Sequence, residues 1–277
     1  MTAFEASQPP RVYSQLKPWL QDHYRSLPKR LQNVAVFALH NPEVIALNTV
    51  AVISAQAQVT PSTMVRFAKS IGYEGFTDMQ SVFQESMRHV PQPYSQRLTE
   101  LAPPSESEET VLHQFSQAAR ASITRLEEQA DGQAIHAASA QIAAARTIYL
   151  AGQGRAEPVV TYLHYTFVKL GMQAVVLDGM ASAMADKTRM IQPDELLLAI
   201  SFSPYTANTR ELVDICLKAG VKVVALTDST LSPIAQVDDL HLEVLEQEVS
   251  GFRGLSATMC LALCLAVEAG KRRTEGQ

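Results

Sequence analysis

The residues of this 277-residue chain that could do chemistry fall in two separated groups. The first is a run of small hydroxyl and cationic side chains: Thr60, Ser62, Thr63, Arg66, Lys69 and Ser70. On a helical wheel, Met64, Phe67, Ala68 and Ile71 share one face, at i, i+3, i+4 and i+7. Ser62, Arg66 and Lys69 fall on the opposite face, flanked by Thr63 and Ser70. A face that is small near the helix start and cationic further along suits a DNA major groove. The backbone can approach closely, and Arg or Lys reaches base edges or phosphates. Arg66 lies almost opposite the apolar stripe and is the first choice for a DNA contact. An ordinary helical hairpin with a solvated polar face fits the same wheel.

The second group lies in two loops. Gly152-Gln153-Gly154-Arg155-Ala156 follows a short apolar run, and its glycines permit a sharp turn with close backbone approach. The third glycine of a dinucleotide fingerprint is absent, which argues against NAD. Ser201-Phe202-Ser203-Pro204-Tyr205-Thr206 follows another apolar run and brings three hydroxyls toward a helix start. Hydroxyls and amides there make a neutral phosphate cradle. The expected ligand contacts are Gly152, Gly154, Arg155, Ser201, Ser203 and Thr206. Sugar isomerisation would need a positioned base. Glu157, His164, Glu211 and Glu248 are available, but none sits in a catalytic motif, so no catalytic residue, cofactor or metal is expected.

These side chains need two kinds of scaffold. Up to about residue 90 the pattern is helical, as in Leu31, Val34, Ala35, Ala38 and Leu39. Asn41-Pro42 stops that helix, a short helix covers 44–47, and a third starts after Thr49 as N-cap. Thr60 is the expected N-cap of the polar-faced helix, with Pro61 at its first position and Gly72 at its end. Residues 91–109 hold four prolines and an acidic run, and read as a linker. Helices are expected at 111–130 and 134–145. From Arg146, apolar strands at 147–151, 173–177, 195–200, 221–226 and 240–245 alternate with helices at 158–169, 180–191, 208–219 and 253–270. That grammar means a doubly wound, five-stranded parallel α/β sheet. The domains are therefore 1–90, an all-α helix-turn-helix unit, and 110–277, an α/β unit with leading helices.

Residues 60–76 resemble the recognition-helix signature of the RpiR family of bacterial transcription regulators. The matching features are Thr-Met-Val-Arg-Phe, then Ile-Gly-Tyr and Gly-Phe, with Asn41-Pro42-Glu43-Val44 upstream. Residues 120–270 resemble the SIS (sugar isomerase) domain, through both loops, Leu226-Thr227-Asp228-Ser229 and Ser232-Pro233. That resemblance implies that Ser201, Ser203 and Thr206 offer hydroxyls to a sugar phosphate. Ala156 stands where many first loops carry serine. Either Arg155 and backbone amides hold the phosphate instead, or the ligand or its pose differs. The resemblance implies a regulator that binds operator DNA and a phosphorylated sugar or sugar-acid effector, as a homodimer or homotetramer.

Composition bears on the same reading. The net charge of −5 is uneven: residues 1–90 carry 8 Lys+Arg and 6 Asp+Glu, and the rest carry 15 and 22. A mildly basic first unit suits phosphate, and paired heads would add their charge on one operator. The longest apolar stretch, 255–267, is too short to span a bilayer. Residues 1–11 are polar and Pro-containing, unlike a signal peptide. Cys216, Cys260 and Cys264 are expected as buried free thiols. A cytoplasmic protein that avoids membranes is the expectation.

Overall fold

The computed structural model describes residues 9–88, 110–235 and 240–275, together with Ser95 and Leu98. The expected linker at 91–109 lies outside the described residues, apart from those two positions. The chain divides into two compact units, Met1–Tyr94 and Ser95–Gln277.

The first unit is helical: α1 (Tyr13–His23), α2 (Lys29–His40), α3 (Pro42–Leu47), α4 (Val50–Gln56), α5 (Pro61–Ser70) and α6 (Phe76–Arg88). Its core gathers Leu16, Leu20, Leu31, Val34, Ile45, Ile53, Met64, Phe67, Met79 and Phe83. Thr49 caps α4 by accepting a hydrogen bond from the Val52 amide at 3.5 Å. The α4–α5 turn passes through Gln58 in the left-handed region at φ +54°. Gly72 follows α5 at φ +94°, and a Cβ there would stand 3.1 Å from Pro9 Cδ. Helix α3 is too short to satisfy its own C-terminal carbonyls. Gln80 Nε2 donates to Ile45 O and Asn48 O, each at 2.9 Å, and Gln84 Nε2 donates to Ala46 O. These bonds fix α6 across the end of α3.

The second unit opens with α7 (Val111–Gln129) and α8 (Gly132–Ala144). Then come β1 (Ile148–Ala151), α9 (Glu157–Lys169), β2 (Ala174–Val176), α10 (Ala181–Arg189) and β3 (Leu196–Ser201). After these stand α11 (Ala207–Lys218), β4 (Lys222–Thr227), β5 (His241–Glu243), β6 (Glu248–Val249), β7 (Phe252–Arg253) and α12 (Ser256–Glu275). The five-stranded sheet runs in the order β2-β1-β3-β4-β5, with every pair parallel. Both faces are covered, which is why the strands read as continuous apolar runs. Leu150, Leu198, Ile200 and Leu226 face the cluster built with α8, α9 and α12. Leu197, Ala199, Val223 and Ala225 face α10 and α11.

Two expectations are corrected. The helix expected from residue 253 starts at Ser256, because Glu248–Arg253 forms an antiparallel hairpin. Its two-residue turn places Ser250 and Gly251 at φ +47° and +77°, the backbone of a type I′ turn. Among the cysteines only Cys216 is buried, since Cys260 and Cys264 lie on the solvent side of α12. No helix among the described residues is long and apolar enough to cross a membrane.

Candidate functional site

The polar-faced helix α5 forms as its sequence directs. Pro61 occupies its first turn, and Met64, Phe67, Ala68 and Ile71 are buried. Ser62, Arg66 and Lys69 are exposed along the opposite side. Thr63 departs from the expected site: it is 8% exposed, turned toward the core. Its position lies on the edge of the buried stripe, one residue before Met64. Thr60 sits at the N-cap position, but its side chain bonds no amide of the helix. Its Oγ1 instead shares hydrogen bonds of 2.9 Å with the hydroxyls of Ser62 and Thr63. Ser70 is half-buried and donates to Phe67 O at 2.8 Å. The free face of α5 therefore narrows to Ser62, Arg66 and Lys69, with Thr60 at its head.

In the α/β unit, the chain leaves β1 toward β2 on one side and leaves β3 toward β4 on the other. Adjacent strands with opposite exits open a crevice at their carboxyl ends. Gly152–Ala156 and Ser201–Thr206 border that crevice. Gly152 must be glycine: a Cβ would stand 2.9 Å from Val160 Cγ2, 3.0 Å from Ala156 Cβ and 3.1 Å from Ile200 O. Gly154 adopts φ +60°. Arg155 stacks over the Phe202 ring at 5.0 Å, which joins the two loops directly. Burial makes its guanidinium less basic than usual; the Arg253 charge adds to this, while Asp228, Glu246 and Glu248 oppose it. Asn208 Nδ2 donates to Gln153 Oε1 at 3.4 Å, a further link between the first loop and α11.

Ser201 ends β3 and is 4% exposed, in register with Thr227 at the end of β4. The fully buried Thr227 hydroxyl has no hydrogen-bond partner among the described residues. Ser203 is half-buried. Thr206 precedes α11 and shares a 2.8 Å hydrogen bond with the Thr209 hydroxyl.

Two residues without an expected role hold the second loop. Asp228 accepts hydrogen bonds from the Ser203 amide at 3.0 Å and the Tyr205 hydroxyl at 2.8 Å. Burial, then the Asp228 charge, pushes the Tyr205 hydroxyl well above its usual pKa, so it remains a donor. Arg253 donates to Ser203 O and to Glu248 Oε2, each at 2.8 Å. The Ser250-Gly251 dipeptide was the readable signal for the hairpin that carries it. Of the possible bases, Glu248 is thus paired with Arg253, Glu157 and Glu211 are exposed, and His164 is half-buried within α9. No cluster of His, Cys, Asp and Glu among the described residues could hold a metal ion.

A helix-turn-helix unit followed by a doubly wound parallel sheet, with Gly- and Ser-bearing loops after β1 and β3, defines a two-unit architecture. Residues 14–89 match the helix-turn-helix domain of the rpiR family, and residues 141–268 match the SIS domain. The chain belongs to the RpiR family in this two-domain form.

The chain is similar to two curated proteins and shares its fold with a solved structure. An HTH-type transcriptional regulator of Escherichia coli, YfhH, is 26% identical over 86% of this chain and 84% of its own length. The bifunctional protein glk of Burkholderia orbicola is 25% identical over 89% of this chain. The chain spans only 38% of that relative's length. The Vibrio vulnificus NanR protein, solved in complex with ManNAc-6P, shares the fold with a TM-score of 0.55. It is 20% identical, over 93% of this chain and 92% of its own.

Proposed function

We propose that this protein is a cytoplasmic transcriptional regulator whose SIS domain senses a phosphorylated sugar or sugar acid and thereby alters operator binding. The observation that carries the reading is the pairing, in one chain, of a cationic exposed helix face with a loop-lined crevice at the switch point of a parallel sheet. Ser62, Arg66 and Lys69 supply groove and phosphate contacts. In the crevice, the Ser203 and Thr206 hydroxyls and the Ser201 edge receive phosphate, and Arg155 stands over it in place of the serine replaced by Ala156. A guanidinium offers two parallel donors to one anion. The phosphorylated sugar in the NanR complex supports that ligand class.

The copies act as a homodimer or homotetramer, so that paired α5 helices meet a palindromic site. Effector binding favours one arrangement of the two heads, and DNA then changes effector affinity by the same factor. The sensor is non-enzymatic in this reading, with Glu248 tied to Arg253.

Two measurements test it. Gel shifts on DNA upstream of its own and neighbouring genes, over a salt series, should show affinity falling steeply as salt rises. Thermal shifts with phosphorylated sugars and sugar acids should identify a stabilising ligand. No DNA binding at low salt would sink the regulatory reading, and a ligand turned over to an isomer would replace sensing with catalysis.

A further inference from the structure

The hairpin of the two-residue strands β6 and β7 has two working faces. Glu248 and Arg253 are cross-strand partners, and so are Val249 and Phe252. Successive side chains along a strand point to opposite faces. One face therefore carries the Glu248–Arg253 ion pair, and from it Arg253 donates to the Ser203 carbonyl at 2.8 Å. The other face carries Val249 and Phe252, and there the Phe252 ring meets Phe115 of α7 edge-on, with centroids 6.4 Å apart. Just before β6, the Gln247 amide donates to the buried Ser122 hydroxyl of α7 at 2.8 Å. The tight Ser250-Gly251 turn makes the hairpin one stiff piece. Its base is tied to α12, where Glu246 Oε1 accepts from the Thr258 amide and hydroxyl, each at 2.8 Å. The hairpin thus bridges the second loop and α7 about a fixed base.

Both neighbours of the hairpin are built to respond. Helix α7 is 19 residues long, yet only Ala118 and Ser122 within it are buried, so few contacts resist its displacement. The loop side responds to charge. Burial, and after it the charge of Arg253, makes the Arg155 guanidinium less basic than usual. An anion held at the first loop relieves that repulsion and weakens the hold of Glu248 on Arg253. Helix α7 is also the first element of the α/β unit after residues 91–109, so a shift of α7 acts on the chain that leads from the helical unit. Resting on the regulatory reading above, we propose that the β6–β7 hairpin is a rocker that carries occupancy of the ligand loops to α7, through Arg253 on one face and Phe252 on the other. Arg253 and Phe252 are then positioning residues, acting through the loop and the helix that they hold.

Amide hydrogen exchange on the full chain, read by mass spectrometry without DNA or sugar phosphate, tests the link as a double-mutant cycle. Asp228→Asn weakens the hold on the Ser203 amide and the Tyr205 hydroxyl. It should speed exchange in residues 201–206 and also in the first half of α7, by about threefold or more in each. Arg253→Met keeps the apolar stem and removes the donor. In that background, Asp228→Asn should still speed exchange in 201–206 but add nothing in α7. Phe252→Leu should cut the link at the other face with the same result. Tyr205→Phe, which drops a single hydroxyl bond, takes the place of Asp228→Asn in the cycle if that variant unfolds. An α7 that ignores the loop variant, or that responds equally with Arg253→Met present, would overturn the proposal. The regulatory reading fails separately, since a chain that shows this link yet binds no DNA in gel shifts would refute that reading and leave the link in place.

Discussion

In the proposed reading, Arg66 and Ser203 divide DNA contact and effector contact between two side chains. Arg66 projects from the exposed face of α5, so Arg66→Ala should weaken operator binding by about 1–3 kcal/mol at matched salt if it reads a base edge. Fluorescence anisotropy on operator DNA measures this, and effector binding should stay near wild type. An unchanged operator affinity would refute the docking. Ser203→Ala should blunt the effector response while leaving DNA binding intact in the absence of effector. Calorimetry with the stabilising ligand checks the first half and gel shift the second. Gly152 makes a different demand, because any Cβ there meets the backbone oxygen of Ile200 at 3.1 Å. Gly152→Ala should lower the melting temperature and weaken the effector, whereas Gly154→Ala, which meets no neighbour, bears only the strain of its positive φ.

At the scale of elements, the strands and helices of both units were legible because their apolar periods are long enough to see. Strands β1, β3 and β4 read as buried runs, and α5 declared itself through Met64, Phe67, Ala68 and Ile71. The hairpin at Glu248–Arg253 was missed because two-residue strands carry no period, and only Ser250-Gly251 marked the turn. The turned-in Thr63 was missed because one wheel step decides between flank and core. The clasp of Asp228 on Ser203 and Tyr205 joins residues from different strand ends, which only the folded sheet brings together.

A small ionic clip in the first unit gives a pH prediction. The Glu74 amide, and with it Arg11, holds the Asp78 carboxyl below its usual range. Such a group stabilises the fold above the ordinary carboxylate range, and that stabilisation is lost as pH falls through the lowered value. Asp78 is half-buried, but its partner Arg11 is exposed to solvent, so the loss is small. Asp78→Asn should cost a little stability near neutral pH, with the difference from wild type vanishing only well below the ordinary carboxylate pKa of 3.8, as read by denaturant titration across pH.

For the whole molecule, uneven charge and repeated copies belong together. The first unit is only slightly basic, so one head holds few phosphates and its affinity should collapse with salt. Two heads on one operator double the number of released counterions, and the slope of log affinity against log salt should scale with the number of bound heads. Diluting the protein below its association constant should therefore lower both the affinity and the slope, which salt titrations at several protein concentrations would detect. A slope independent of assembly would mean that the heads act singly.

The grip of Arg253 on the Ser203 carbonyl has an evolutionary consequence. This part of the second loop is held by a side chain from a two-residue strand as well as by Asp228 at the end of β4. Inheritance can therefore alter the cradle from a distance. A change at position 253, or at its ion-pair partner Glu248, shifts the loop while every ligand-facing residue stays the same. If the second loop receives an effector as proposed, drift in the hairpin is a route by which descendants of this chain could acquire a new one without changing the residues that meet it.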